Sequence, residues 1–334
     1  MKTSKKIMAL ALTGALAASS VSVVSVSAEP KKATIGVCFY QDTGKAPNAT
    51  KAFLESLADT LNVEFKYGTF TQTDEAANLT KVQELIASGV DGIIGTMDLG
   101  TQSILSECEA AGIYYAGYLC DFDTSYTTAY DDVFGNSNFL GTVVDGHAPD
   151  DVNIGDQFFD SLIEYNERNA DAPLTHVSMA VFPVWAFPAQ TTAAEQFVAD
   201  VEEYNKTAET PITVDPLDEE VDVLNFAPLD STYFSKHPDT QAIMSFAAGT
   251  SFVYPTMVSA GVDSDIKLFT TGADGGEETN FGSAGTQTYQ QIAFTGAESI
   301  VYPLVLMLNK INDTEFADMP EKAERISTEL YIVN

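Results

Sequence analysis

The 334-residue chain has few of the residues that most chemistry relies on: three cysteines (Cys38, Cys108 and Cys120), two arginines (Arg168 and Arg325), three histidines and a single tryptophan, Trp185. So small and odd a cysteine count excludes a disulfide scaffold. It leaves two readings open, a Cys108 to Cys120 bridge or three small apolar side chains on core elements. Scarcity of arginine removes the planar fork that grips carboxylates and phosphates at two points. Arg168 lies in a polar helix segment and Arg325 in an acidic C-terminal stretch, neither suited to a site. Basic residues number 16 against 48 acidic ones, a net charge of −32. That field repels nucleic-acid backbones and anionic lipid surfaces. The expected ligand is a small neutral or cationic molecule, and nucleic acid is not an expected partner.

Long apolar runs are also missing. The run Ile7 to Ala18 is twelve residues, short of the roughly 18 that a membrane-spanning helix needs. Lys2, Lys5 and Lys6 precede it, and Val26-Ser27-Ala28 places small residues before Glu29. This is the pattern of a secretory signal peptide over residues 1–28. Cleavage there would remove three lysines and no acid, taking the net charge from −32 to −35. No cysteine lies near the cleavage point to carry a lipid, so the mature chain is expected to be exported, periplasmic or extracellular, without a lipid anchor.

Catalytic motifs are absent as well: there is no Gly-rich loop ending in Lys-Ser/Thr, no GxSxG, no HExxH and no paired CxxC. His147, His176 and His237 are far apart in sequence and read as surface or satisfied core residues. The acidic run Asp215 to Asp222 reads as a solvated face. No enzyme activity, metal or cofactor is expected.

What the chain does have is alternation. Buried-strand runs at Ala33–Tyr40, Val63–Phe70, Val90–Met97 and Ile113–Leu119 are separated by helical patterns over Asn48–Leu61, Thr73–Ser88 and Thr101–Ala111. A second series follows, with strands at Phe139–Val144, His176–Phe182, Ile212–Val214, Ala242–Phe246 and Lys267–Thr271 among helices at Ile154–Asn166, Thr191–Tyr204 and Phe252–Ala260. Such alternation predicts an α/β chain with two similar doubly wound parallel-sheet lobes. In doubly wound sheets ligands bind beyond the strand carboxyl ends. Asp98, Asp121 and Asp274 follow predicted strands, where a carboxylate either accepts bonds from ligand hydroxyl or ammonium groups or forms a turn. Phe39 and Tyr40 end the first strand, Phe246 ends a later one, and Trp185 stands in Phe182-Pro-Val-Trp-Ala-Phe187-Pro. Aromatic faces there suit the C–H face of a sugar or a base.

Several segments carry a family resemblance: SGVDGIIGTMD (Ser88–Asp98), PDDVNIG (Pro149–Gly155), HPDTQAIMSF (His237–Phe246), VSAGVDSDIKLFTTGADG (Val258–Gly275) and the closing TELYIVN. In their order and spacing the chain resembles a type I periplasmic solute-binding protein, nearest in layout to the ribose-binding and related sugar-binding proteins of ABC transporters. The resemblance implies lobes built from 29–149 plus 291–323 and from 150–290 plus 324–334, joined by three hinge strands crossing near Pro149, Gln290 and Glu324. It implies that Phe39 and Tyr40, Asp121, Asp151 at the first crossing, Asp274 and Gln290 line the ligand site. Where the family has arginines, this chain has Phe122 and either Thr191 or Ala193, so a sugar is favoured without arginine recognition of its hydroxyls. The implied role is a monomeric receptor that presents its ligand to an ABC permease. Alternatives are a nucleoside or amine receptor of the same fold and a ligand-sensing accessory of a signalling system.

Overall fold

The computed structural model describes residues 32–42, 44–71, 73–120, 122, 133–144, 153–184, 187–273, 281, 287–314, 320, 322–328 and 330–333. The proposed signal peptide and Asp121, Asp151, Trp185 and Asp274 lie outside the described residues.

The first lobe begins with β1 (Ala33–Phe39), α1 (Lys45–Leu61), β2 (Val63–Thr69), α2 (Glu75–Ala87), β3 (Gly92–Gly95), α3 (Thr101–Ala111), β4 (Tyr114–Tyr118) and β5 (Phe139–Val144). Local chemistry sets the helix ends. Asp74 Oδ1 accepts the Ala77 N–H at 3.0 Å to start α2, and Gly112 closes α3 at φ 67°, a left-handed turn that costs glycine little. The second lobe repeats the scheme with α4 (Ile154–Arg168), β6 (His176–Ala180), α5 (Pro188–Asn205), β7 (Thr213–Val214), α6 (Tyr233–Lys236), β8 (Ala242–Ser245), α7 (Gly249–Phe252), α8 (Tyr254–Ala260), β9 (Lys267–Thr271) and β10 (Tyr289–Thr295). A 3₁₀ turn over Ala297–Ile300 then leads into α9 (Val301–Ile311), β11 (Arg325–Ser327) and β12 (Leu330–Val333).

Each lobe has a six-stranded sheet, ordered β11-β5-β4-β3-β1-β2 in the first and β12-β10-β9-β8-β6-β7 in the second. Pairing is parallel throughout except for β12, which runs antiparallel to β10. The two orders are the same circuit run twice. Apolar side chains pack on both faces of each sheet. Val82, Leu85, Ile104 and Cys108 from α2 and α3 cover one face of the first, and Leu54, Leu304 and Met307 from α1 and α9 the other. In the second, Phe158 and Phe197 from α4 and α5 lie opposite Tyr233, Val253 and Met257.

Sheet membership moves two of the expected crossings. The strand β10 stays in the second sheet through Thr295, and β11 belongs to the first sheet. By sheet membership the chain leaves the second sheet after Thr295, five residues past Gln290, and returns to it after Ser327, three residues past Glu324. Strand β10 reads YQQIAFT without clear alternation and β11 has only three residues, so periodicity does not place those changes from sequence. Cys38, Cys108 and Cys120 are buried thiols and no disulfide joins Cys108 to Cys120.

Candidate functional site

In a 2-1-3-4-5 sheet the chain departs from the first strand in opposite directions, opening a crevice at the carboxyl ends of strands one and three. Here those positions are β1/β3 in the first lobe and β6/β8 in the second.

In the first lobe β1 runs into Phe39 and Tyr40. Phe39 is only 2% exposed. Its ring stacks at 6.2 Å on Tyr67, with Lys51 Nζ 5.4 Å from its centroid and bonded at 3.1 Å to the Asp42 carbonyl. Phe39 is thus a core ring lidded by a lysine, while Tyr40 beside it is half-buried. Beyond β3, Thr96 donates its N–H to the Cys38 carbonyl at 3.0 Å. The Asp98 carbonyl accepts the Thr101 hydroxyl at 2.6 Å and the Thr101 N–H at 3.2 Å, so its main chain builds the entry to α3. A buried amide holds this rim together. Asn78 of α2 accepts the Thr71 N–H at 2.7 Å and donates to the carbonyls of Thr71 at 3.0 Å and Leu99 at 3.3 Å. It ties the loop after β2 to the loop after β3. After β4, Leu119 and Phe122 take φ values of 57° and 49° on either side of position 121, conformations that side chains adopt rarely and at a cost. The Thr142 hydroxyl donates to the Cys120 carbonyl at 2.7 Å and holds that carbonyl in place.

In the second lobe β6 opens into an aromatic wall. Phe182 lies 5.2 Å from Phe226, 5.3 Å from Phe187 and 5.1 Å from Phe252, centroid to centroid. The latter three are half-buried. Gln190 on the first turn of α5 accepts the Phe182 N–H at 3.1 Å and so sets where the wall begins. At the end of β8, Ser245 donates to the Ala247 carbonyl at 2.8 Å and Thr271 to the Phe246 carbonyl at 3.0 Å.

Phe39 lies in the core, and two further expected site residues are placed elsewhere. Phe246 has no exposed surface and packs 4.9 Å from Phe158; the residue after β8 continues the pleat of a buried strand into the core. Gln290 is 2% exposed and donates to the Gln287 carbonyl at 2.6 Å, near the start of β10 and far along the strand from its carboxyl end. What does stand at that end is Thr295. Its hydroxyl and that of Thr96 are buried with no hydrogen-bond partner among the described residues. Buried hydroxyls without partners are costly unless a ligand or water satisfies them. Sequence reading missed Thr96, Thr295, Asn78 and Lys51. Thr96 and Thr295 were findable as hydroxyls closing strand runs, whereas Asn78 and Lys51 lie on helices with no local signal.

No family model matches the chain and no curated protein matches it. Solved structures do. An ABC-transporter solute-binding protein from Agrobacterium vitis, bound with α-D-tagatopyranose, has a TM-score of 0.66 at 13% identity, covering 91% of this chain and 95% of that one. One from Actinobacillus succinogenes 130z with bound D-allose scores 0.61 at 14% identity, over 91% and 98%. The transcription regulator CcpA of Lactococcus lactis scores 0.57 at 11% identity, over 91% and 97%. The fold of this chain is therefore the two-lobed fold of type I periplasmic binding proteins, shared by transport receptors and regulators alike.

Proposed function

We propose that the protein is an exported, non-enzymatic receptor that takes a small neutral polar ligand, a sugar in the first instance, between its lobes and presents it to an ABC permease. The observation that carries this reading is the repeated strand circuit, which sets two crevices at equivalent strand ends, one rimmed by Tyr40, Thr96 and Asp98 and the other by an aromatic wall. Carboxylates and hydroxyls replace the hydrogen bonds a sugar loses on leaving water, and aromatic faces cover its C–H surface. Of the nucleic-acid-binding proteins that share the fold, a chain with net charge −32 is an unsuitable member, because binding to phosphates depends on released counterions and clustered cations. A nucleoside or amine is the second reading, favoured by the four-ring wall around Phe182 and by the acidic surplus.

Thermal denaturation against a panel of D-allose, D-tagatose, D-arabinose, nucleosides and amines tests the reading. A true ligand at about 100 times its Kd adds about 2.7 kcal/mol. A stabilising sugar supports the proposal, a nucleoside or amine supports the second reading, and no response from any member of the panel overturns both.

A further inference from the structure

Lobe two contains a chain of titratable groups that the proposed binding role does not use. Asp215 follows β7, and its Oδ1 lies 2.7 Å from His176 Nε2 and its Oδ2 2.8 Å from His237 Nδ1. The other ring nitrogen of His237, Nε2, lies 2.7 Å from Asp222 Oδ1. Asp222 Oδ2 accepts the Asp218 N–H at 2.7 Å. The acidic run expected to be a solvated face thus turns inward at one end: Asp222 is 1% exposed and His237 6%. The remaining charged or titratable neighbours are Asp218, whose carboxylate is 3.5 Å from Lys236 Nζ, and Tyr233. The Tyr233 ring lies 4.6 Å from that of His237, while its hydroxyl donates to Ser178 Oγ and the Met179 carbonyl.

A neutral imidazole has one N–H and one lone pair, and an ionised carboxylate only accepts. With both ring nitrogens of His237 facing carboxylate oxygens, both contacts are hydrogen bonds only when the group holds one proton beyond a neutral ring and two carboxylates. Burial pushes the Asp222 carboxyl up, which favours keeping that proton within the pair. What the pair holds in place is close to the candidate site. The Asp222 carbonyl accepts the Val181 N–H at 3.0 Å, and the Leu224 N–H donates to the Val181 carbonyl at 2.8 Å. Val181 leads directly into Phe182, and Leu224 stands two residues before Phe226, the ring stacked on Phe182.

We propose that His237 is a positioning residue: by bridging Asp215 and Asp222 with its ring protons it clamps the 215–224 segment under the aromatic wall, and loss of one proton releases it. The effect on a ligand rests on the receptor reading above, whereas the clamp itself does not. Because the bridged form holds the extra proton, the clamp is complete at lower pH and weakens as pH rises.

The test is amide hydrogen exchange on the ligand-free chain at about pH 5.5 and about pH 9, either side of the ordinary histidine range, corrected for intrinsic rates. Protection of Val181 and Leu224, relative to Leu268 in β9, should fall about tenfold or more at the higher pH. Asp222→Asn supplies a side-chain N–H to a neutral ring and an oxygen to Asp218, so it should keep protection at both pH values. His237→Gln should remove the pH dependence. Wild-type protection that ignores pH, or Asp222→Asn that opens at high pH as the wild type does, overturns the proposal. The sugar panel run in the same buffers separates the two readings: exchange behaving as stated with no sugar response supports the clamp and overturns only the receptor assignment.

Discussion

Asn78 does more for the first lobe than its place inside a helix suggests. It has no exposed surface, and its amide spends one acceptor and two donors on the backbone of two loops at the strand ends. Asn78→Ala would leave the Thr71 N–H and two carbonyls short of partners, at a cost of about 2 to 4 kcal/mol. Urea titration should show that loss, and a midpoint within error of the wild type would mean that the loops hold themselves. The cysteines lead to an opposite expectation. Burial pushes the thiols of Cys38 and Cys108 up to about 12, and a thiol that stays protonated and covered is a poor nucleophile. A thiol-reactive dye should therefore label none of the three cysteines in the native protein and all three in guanidinium. A mass two units below that of the reduced chain would instead reveal a disulfide.

At the scale of elements, the α4/α5 pair carries a built-in charge conflict. Asp200 of α5 is pushed up to about 6, first by burial and then by a hydrogen bond with Asp156 of α4, with Asp160 adding repulsion. An acid whose folded-state value is raised lends stability below its unfolded value, and that contribution is lost as pH climbs through about 6. Asp200→Asn should then stabilise the protein at about pH 8 by about 1 kcal/mol, discounted for solvent exposure, with the gain gone near pH 4. Equal stabilisation at both pH values would place the effect outside the ionisation of Asp200.

The elements themselves were largely legible. Helix α3 and the strands β5 and β9 fall at the residues that apolar periodicity and glycine stops indicate. The site was less legible, because position at a strand end says nothing about which face a side chain takes. Phe39 ends β1 and Phe246 follows β8, and both lie in the core, while Tyr40, one residue after Phe39, packs half-buried at its edge. His237 and Asp222 are 15 residues apart and meet only because the segment after β7 leaves the sheet and returns, in parallel, beside Val181 just past β6. Periodicity carries no trace of such a return.

For the whole molecule, the strand circuit leads to a prediction about motion. The chain passes between sheets after β5, after Thr295 and after Ser327, and among the described residues several polar contacts lie near these passages. Tyr118 and Ser299 share a hydroxyl pair at 3.0 Å, Tyr331 of β12 donates to Glu298 at 2.5 Å, and the Thr328 N–H donates to the Val144 carbonyl at 3.1 Å. Single hydrogen bonds of this kind are worth about 1 kcal/mol each, far below the cost of deforming either packed sheet. Relative movement should therefore be a rigid-body bend with each lobe unchanged. A sugar that stabilises the protein should reduce the radius of gyration in solution scattering and shift the fluorescence of Trp185, the only tryptophan in the chain, over the same concentration range. Tyr331→Phe, which removes one tether, should change the affinity for that sugar by about fivefold or less while leaving the compaction at saturation intact. Tight binding with neither a scattering nor a fluorescence change would mean that the ligand sits on one lobe alone, and the hinge would have no part in its capture.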